Sequence, residues 1–326
     1  MNMPTDFESK FAPYIEGLIE QKRANGFAYD SGVKLLKRFD KYCVMYFPLL
    51  DTVTFELAAE WASSSPGQSD GYRNSKVSIV KSLSLYMLSL GKEAYVPNTL
   101  TVKAYRPVLY IPTKEEVRAL LAEMIIPTSH NPRQLRTDKE CRVLFLLYYC
   151  CGLRLSEGRL LRRENIDLDS GTITIIGSKG QKDRLVYLPQ DGIDVLREYK
   201  DYIETAFPDS PWMFPGGGGG DKPISCTGVE SCFNRYWKRL PVAKTLEKQP
   251  TPHCLRHAFV VDRINEWMLS GVDTNKMLPY LSRYLGHKSP DETFYYYHLA
   301  RKAFDVIRQK DTVSKRVIPE VCPYEE

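Results

Sequence analysis

Thr172-Ile-Thr-Ile-Ile-Gly-Ser-Lys-Gly-Gln-Lys-Asp-Arg-Leu-Val-Tyr-Leu188 is the one stretch of this chain that reads clearly as β structure. Two runs rich in β-formers, Thr172–Ile176 and Arg184–Leu188, flank the tip Gly177–Asp183, which predicts a hairpin with a basic turn. The residues around it recur at helical spacing instead. Leu144–Tyr149 predicts a buried helix running into Cys151-Gly-Leu-Arg154, and Thr113 with Glu116 forms a capping box ahead of Val117, Leu120 and Leu121. Helical patterns resume around Val195–Tyr202, Phe233–Trp237, Leu255–Met268 and Met277–Leu285. The expected class is mainly α with a small β-hairpin or sheet (α+β).

Further out, Phe7, Phe11, Ile15, Leu18 and Ile19 open a run of four or five helices that ends near Gly91 without any strand signal. Pro97, Pro107 and Pro112 then break the periodicity and bias the chain toward extended conformation. The expected organisation is a helical module over 1–94, a linker over 95–112, and a second domain with a C-terminal tail over 113–326.

The composition excludes some classes outright. With 326 residues, 43% hydrophobic and 26% charged, the chain can bury a core in each of two domains, and wholesale disorder is excluded. The longest apolar run, Val143–Gly152, is far short of the roughly 18–20 residues a membrane span needs. Met1–Lys10 carries no apolar segment of the exported kind, so a cytoplasmic protein with no membrane partner is expected. Eight scattered cysteines with no C-x-x-C pair are read as reduced thiols, not metal ligands. The net charge of +5 comes entirely from residues 101–326, which hold 34 Lys and Arg against 29 Asp and Glu. That distribution fits a nucleic-acid binder without proving one.

Four of the five histidines fall within Pro252–His298. His253 and His257 share a helical face at i, i+4, but Cys254 stands where a zinc peptidase needs its glutamate, so no metal site is expected. Taken together, Arg154 in Gly-Leu-Arg-Leu-Ser-Glu157, Lys179 at the hairpin tip, His253 and Arg256 at i, i+3, His287 after Leu285-Gly286, and Tyr296 resemble the tyrosine recombinase (phage integrase) family of the simple, two-domain Xer-like type. The resemblance runs in order through the whole second domain, and the helical module resembles the family's SAM-like core-binding domain.

The resemblance implies a site-specific recombinase that cuts and rejoins double-stranded DNA through a 3′-phosphotyrosyl intermediate and a Holliday junction, as a homo-tetramer on its core sites. It requires no cofactor, because the phosphotyrosyl ester stores the energy of the broken bond. Arg154 and Arg256 would clamp the phosphate oxygens, since guanidinium forks suit the charge that develops there. Lys179 would protonate the leaving 5′ oxygen, with Lys182 competing for that role, and Lys179 is preferred because it precedes Gly180 as the family lysine precedes its glycine. His253 would take the acid/base role, His287 would bond the phosphate, and Glu157 would orient the site. His257 is read as a structural, hydrogen-bonded histidine. Of the consecutive Tyr295, Tyr296 and Tyr297, only one can face a phosphate, because successive helical residues point about 100° apart. The resemblance implies Tyr296 as nucleophile, since it lies nine residues after His287 and two before His298, matching the family's Tyr-x-His ending.

Phosphate contacts are expected from Lys34, Lys37, Arg38, Lys41, Arg73, Lys76 and Lys81 in the helical module, and from Arg159, Arg162 and Arg163 after Arg154. Because the helical module begins near Phe7, either a simpler enzyme acting on short core sites or one that relies on accessory DNA-binding proteins is expected. Val317, Ile318 and Val321 in the tail are expected to pack on a neighbouring protomer. Two competing readings keep the scaffold but change the function: a catalytically silent DNA-binding accessory protein, and a type IB topoisomerase-like nicking and closing enzyme.

Overall fold

The computed structural model describes residues 7–27, 29–64, 67–98, 109–126, 129–177, 183–216, 219–287 and 289–297. It divides into two compact units, Met1–Pro107 and Val108–Glu326. The hairpin tip with Lys179 and Lys182, most of the expected linker, and the tail from His298 onward lie outside the described residues.

The first unit is built from α1 (Ala12–Ala24), α2 (Asp30–Tyr46), α3 (Phe55–Ser63) and α4 (Asp70–Ser89). Local chemistry sets where they begin. Pro13 enters α1 in its first turn, the Thr54 hydroxyl accepts from the Leu57 N–H at the start of α3, and Ser69 accepts from Tyr72 at the start of α4. Their apolar faces close over Phe11, Ile15, Leu36, Phe39, Leu57, Trp61 and Leu83. Asp40 is buried in α2 and accepts from the backbone N–H groups of Glu8 and Ser9, tying the chain ahead of α1 to the bundle.

One expected phosphate contact fails here. Lys76 is only 2% exposed, its Nζ donates to the Trp61 carbonyl (2.8 Å) and the Ser64 hydroxyl (2.7 Å), and it lies 4.3 Å above the Trp61 ring. It caps the end of α3 from inside the bundle instead of reaching solvent. Lys34, Arg38, Lys41 and Arg73 are exposed, and Arg38 donates to the Tyr72 hydroxyl at 2.8 Å; Lys37 and Lys81 are half-buried.

The second unit wraps helices around α6 (Pro132–Cys151), whose Leu144, Phe145, Leu147 and Tyr148 sit at the centre of its core. Ahead of it, α5 (Lys114–Glu123) starts with the full Thr113–Glu116 capping box. After it come α7 (Leu155–Arg159), then β1 (Ile166–Asp167), β2 (Thr172–Ile175) and β3 (Arg184–Tyr187). The hairpin β2–β3 is antiparallel, with Ile173 opposite Val186 on the buried face and Leu185 and Tyr187 on the exposed one. It carries a third strand that the sequence does not signal, because β1 is only two residues long. The chain continues through α8 (Gln190–Ala206), a second small pairing of β4 (Pro215–Gly216) with β5 (Lys222–Pro223), α9 (Cys226–Trp237), α10 (Cys254–Leu269), α11 (Thr274–Leu285) and α12 (Asp291–Tyr297). The architecture is mainly helical with small antiparallel sheets. Among the described residues, no helix is long and apolar enough to cross a membrane.

Candidate active site

Two glycines deliver the site. Gly152 ends α6 in the left-handed region (φ 64°), and a Cβ there would lie 2.5 Å from the Phe259 ring. The tight exit turns the chain so that Arg154 becomes the residue before α7. Gly286 ends α11 the same way (φ 65°), and a Cβ on it would crowd the Nη1 atoms of Arg184 (3.2 Å) and Arg154 (3.3 Å).

Glu157, in the first turn of α7, organises the cations. Its Oε2 accepts from the Arg154 N–H (2.8 Å) and from Arg184 Nη2 (2.8 Å), while Oε1 accepts from Arg154 Nη1 (2.7 Å) and Arg184 Nη1 (2.9 Å). Arg256 Nη1 stands 3.9 Å from the same carboxylate. Burial pushes the Glu157 carboxyl up, but the hydrogen bonds from Arg184 and Arg154 outweigh it and hold it down at about 2. Three guanidiniums therefore face one carboxylate that is ionised at neutral pH, and the surplus positive charge sits where water screens it poorly. Arg184 was not picked out from the sequence. The available signal was its place in the strand alternation, which puts it on the same inward face as Val186, where a charge needs a partner.

Arg256 is 2% exposed and joins three segments. Its Nη1 donates to the Gly152 carbonyl (2.5 Å), and Nη2 donates to the Leu285 carbonyl (2.8 Å) and to His287 Nε2 (3.1 Å). Because Nε2 accepts, the His287 proton belongs on Nδ1, which donates to the buried Thr293 hydroxyl at 2.7 Å. Thr293 is thus a second site residue the sequence did not reveal.

Tyr296 on α12 is 6% exposed and joins the same cluster. Its ring lies parallel to that of His287 (centroids 6.3 Å, 10°), and its hydroxyl is 2.6 Å from His257 Nδ1. The hydrogen-bond partner of His257 is thus Tyr296, the residue the sequence offers as nucleophile. His253 precedes α10 and meets the His257 ring edge-on at 4.5 Å. Burial, reinforced by neighbouring cations and imidazoles, lowers His253 to about 4 and His257 and His287 to about 3, so all three are neutral at pH 7. Burial pushes the Tyr296 phenol up to about 12 against the pull of Arg256, so its proton stays on until something takes it.

Of the expected site residues, Arg154, Glu157, His253, Arg256, His257, His287 and Tyr296 come together from α6–α7, α10, α11 and α12. Lys179 lies outside the described residues. A cleft of about 690 Å³ borders Arg154 and Glu157 and is lined by Arg162, Trp212, Ile176 and Gly177, so the base of the hairpin reaches the site. The three arginines after Arg154 differ in exposure. Arg162 stacks 5.3 Å from the Trp212 ring with an exposed side chain, but Arg159 donates to the Ile224 carbonyl, and Arg163 donates to the carbonyls of Ile203, Phe207, Pro208 and Trp212. Arg163 is therefore committed to bracing the end of α8 and cannot also grip a phosphate without releasing it. Among the described residues, no cluster of three or more His, Cys, Asp or Glu is placed to hold a metal ion.

Comparison with known proteins gives the chain its relatives. The phage integrase family model matches residues 112–303. The protein y4rB of Sinorhizobium fredii, an integrase/recombinase by name, is 26% identical over 88% of this chain and 92% of its own length. The tyrosine recombinase XerA of Thermococcus kodakarensis is 29% identical over 70% of this chain and 72% of its own. The XerH site-specific recombinase, solved on palindromic difH substrate as a post-cleavage complex, has the same fold, with a TM-score of 0.62 at 19% identity over 86% of this chain and 79% of that one.

Proposed function

This chain belongs to the phage integrase family, and on that premise we propose that it is a site-specific DNA recombinase with Tyr296 as its nucleophile. The observation that carries the reading is the burial of the Tyr296 phenol beside a cluster in which three guanidiniums outnumber one carboxylate. A surplus of fixed cations next to a nucleophile suits an anionic electrophile such as a DNA phosphodiester.

In the proposed reaction the Tyr296 oxygen attacks phosphorus and displaces the 5′ oxygen, leaving a 3′-phosphotyrosyl ester. Arg154 and Arg256 stabilise the charge that builds on the non-bridging oxygens, and both are already oriented by Glu157 and by backbone carbonyls, so little reorganisation opposes the step. Lys179, on the hairpin, supplies the proton for the leaving 5′ oxygen. The exchanged strand then attacks the ester, and two rounds of this chemistry pass through a Holliday junction. The working species is a homo-tetramer on two DNA sites, with the exposed lysines and arginines of the helical module following the backbone. That XerH has been solved on its difH substrate supports DNA as the substrate class.

The test uses a duplex selected by this chain from a randomised DNA pool and nicked near the scissile phosphate. The full chain should be trapped as a covalent adduct on a denaturing gel, and Tyr296→Phe should abolish it. An adduct that survives Tyr296→Phe but is lost in Tyr297→Phe would move the nucleophile by one residue. Relaxation of supercoiled DNA without any selected site would favour the topoisomerase-like reading.

A further inference from the structure

We propose that His257 is the general base that takes the Tyr296 proton during strand cleavage and returns it during rejoining. The inference rests on the reading of Tyr296 as nucleophile. It goes beyond that reading by assigning the proton to an atom, and by assigning it to an imidazole other than His253.

The geometry is direct. His257 Nδ1 lies 2.6 Å from the Tyr296 hydroxyl oxygen, within the range a general base must reach, and both side chains are buried. A general base must offer a lone pair to the phenol, so the proposal assigns the bond as Oη–H donating to Nδ1, with the imidazole's own proton on Nε2. The groups that face His257 are His253 just ahead of its helix, Arg256 on that helix, and His287 and Tyr296 from the segments packed against it. None of them is an anion, so among the described residues these neighbours do not stabilise a protonated His257, and Tyr296 stays un-ionised. A phosphodiester bound at Arg154 and Arg256 brings the missing negative charge, so the base would become effective only once DNA is in place.

The step balances. As the P–Oη bond forms and the P–O5′ bond breaks, the Oη proton moves to His257 Nδ1, and the departing 5′ oxygen takes a proton from Lys179. In rejoining, the 5′ hydroxyl attacks and gives its proton to Lys179, the P–Oη bond breaks, and His257 returns its proton to Oη.

The test compares the full chain with His257→Asn, which keeps a polar atom near the Nδ1 position but cannot take up a proton; His257→Gln serves where the Asn variant does not fold. Single-turnover cleavage of the selected, nicked duplex is measured from pH 6 to pH 10, and again with a 5′-bridging phosphorothiolate, whose leaving group needs no acid. The expected result is cleavage slowed about 10²–10³-fold at pH 7 with DNA binding retained. The residual rate should climb about tenfold per pH unit while wild type levels off, and the sulfur substrate should not rescue the variant although it rescues Lys179→Ala. Cleavage within twofold of wild type at every pH, or rescue by the sulfur leaving group, would overturn the inference and leave Tyr296 as nucleophile. Absence of any adduct with the unaltered chain would remove both.

Discussion

Lys76 in the first unit and Arg256 in the second are both cations withdrawn from water, each 2% exposed, yet they do different things. Lys76 lies against one carbonyl, one hydroxyl and one indole face, all neutral, and burial followed by the nearby Arg73 lowers its ammonium. Its donors are used up, and it closes the end of a helix. Arg256 also donates to carbonyls, but it shares Glu157 with Arg154 and Arg184, so its charge is only partly compensated. A buried cation marks a structural brace when its neighbours satisfy it, and a site when charge of one sign is left over.

The comparison can be broken most easily at Arg256. Arg256→Lys keeps the charge but loses the fork, and adduct formation should fall by about 10²–10³-fold with DNA binding retained. A rate within threefold of wild type would reduce Arg256 to a brace of the Lys76 kind. Arg184→Gln removes one of the two arginines that grip both oxygens of Glu157, so cleavage should fall by about 10–100-fold, corresponding to roughly 1.5–3 kcal/mol for charged hydrogen bonds. An unchanged rate would mean Arg154 and Arg256 hold their places without it.

Acid sharpens the contrast next. The three site imidazoles have folded values below the usual 6.5, so below that pH the unfolded chain binds protons that the folded chain refuses, and stability is lost as pH falls. Glu157 adds a loss of the same sign further down, present above its ordinary value of 4.5 and gone as pH approaches about 2. The unfolding free energy of the full chain, read from urea titrations, should therefore drop between pH 7 and pH 4.5, by on the order of 1–3 kcal/mol for each of the three imidazoles. A value flat across that window would contradict the burial of the imidazoles. The smallest effect is expected for Lys76→Met, which should cost about 1 kcal/mol through the loss of its two hydrogen bonds, since the Trp61 carbonyl still accepts from Ser64, and leave cleavage within twofold of wild type. A large loss of cleavage there would return Lys76 to the DNA-contacting set.

Much of the fold was legible because the patterns that specify it are local. The Thr113–Glu116 box and the alternation of Thr172–Ile175 and Arg184–Tyr187 each act within a few residues. β1 escaped because two residues carry no period, and Lys76 was misplaced because α4 buries more of its circumference than a simple amphipathic stripe suggests. At the site, the order of arginine, histidine and tyrosine motifs could be read in sequence. Arg184 and Thr293 could not, since each matters only through a partner, Glu157 27 residues away or His287 six residues away, that the fold brings near.

The sequence alone determined which residues could do chemistry: a tyrosine at fixed spacing from a histidine, two arginines in recognisable settings, and glycines that only tight turns require. The tertiary structure decided what those residues touch: that Glu157 gathers three guanidiniums, that Lys76 turns inward, and that the imidazole bonded to Tyr296 is His257. The reason is that side-chain type and helical period are properties of neighbours along the chain. Charge balance and hydrogen-bond partnership are properties of neighbours in space, and they exist only once α6, α10, α11 and α12 have packed together.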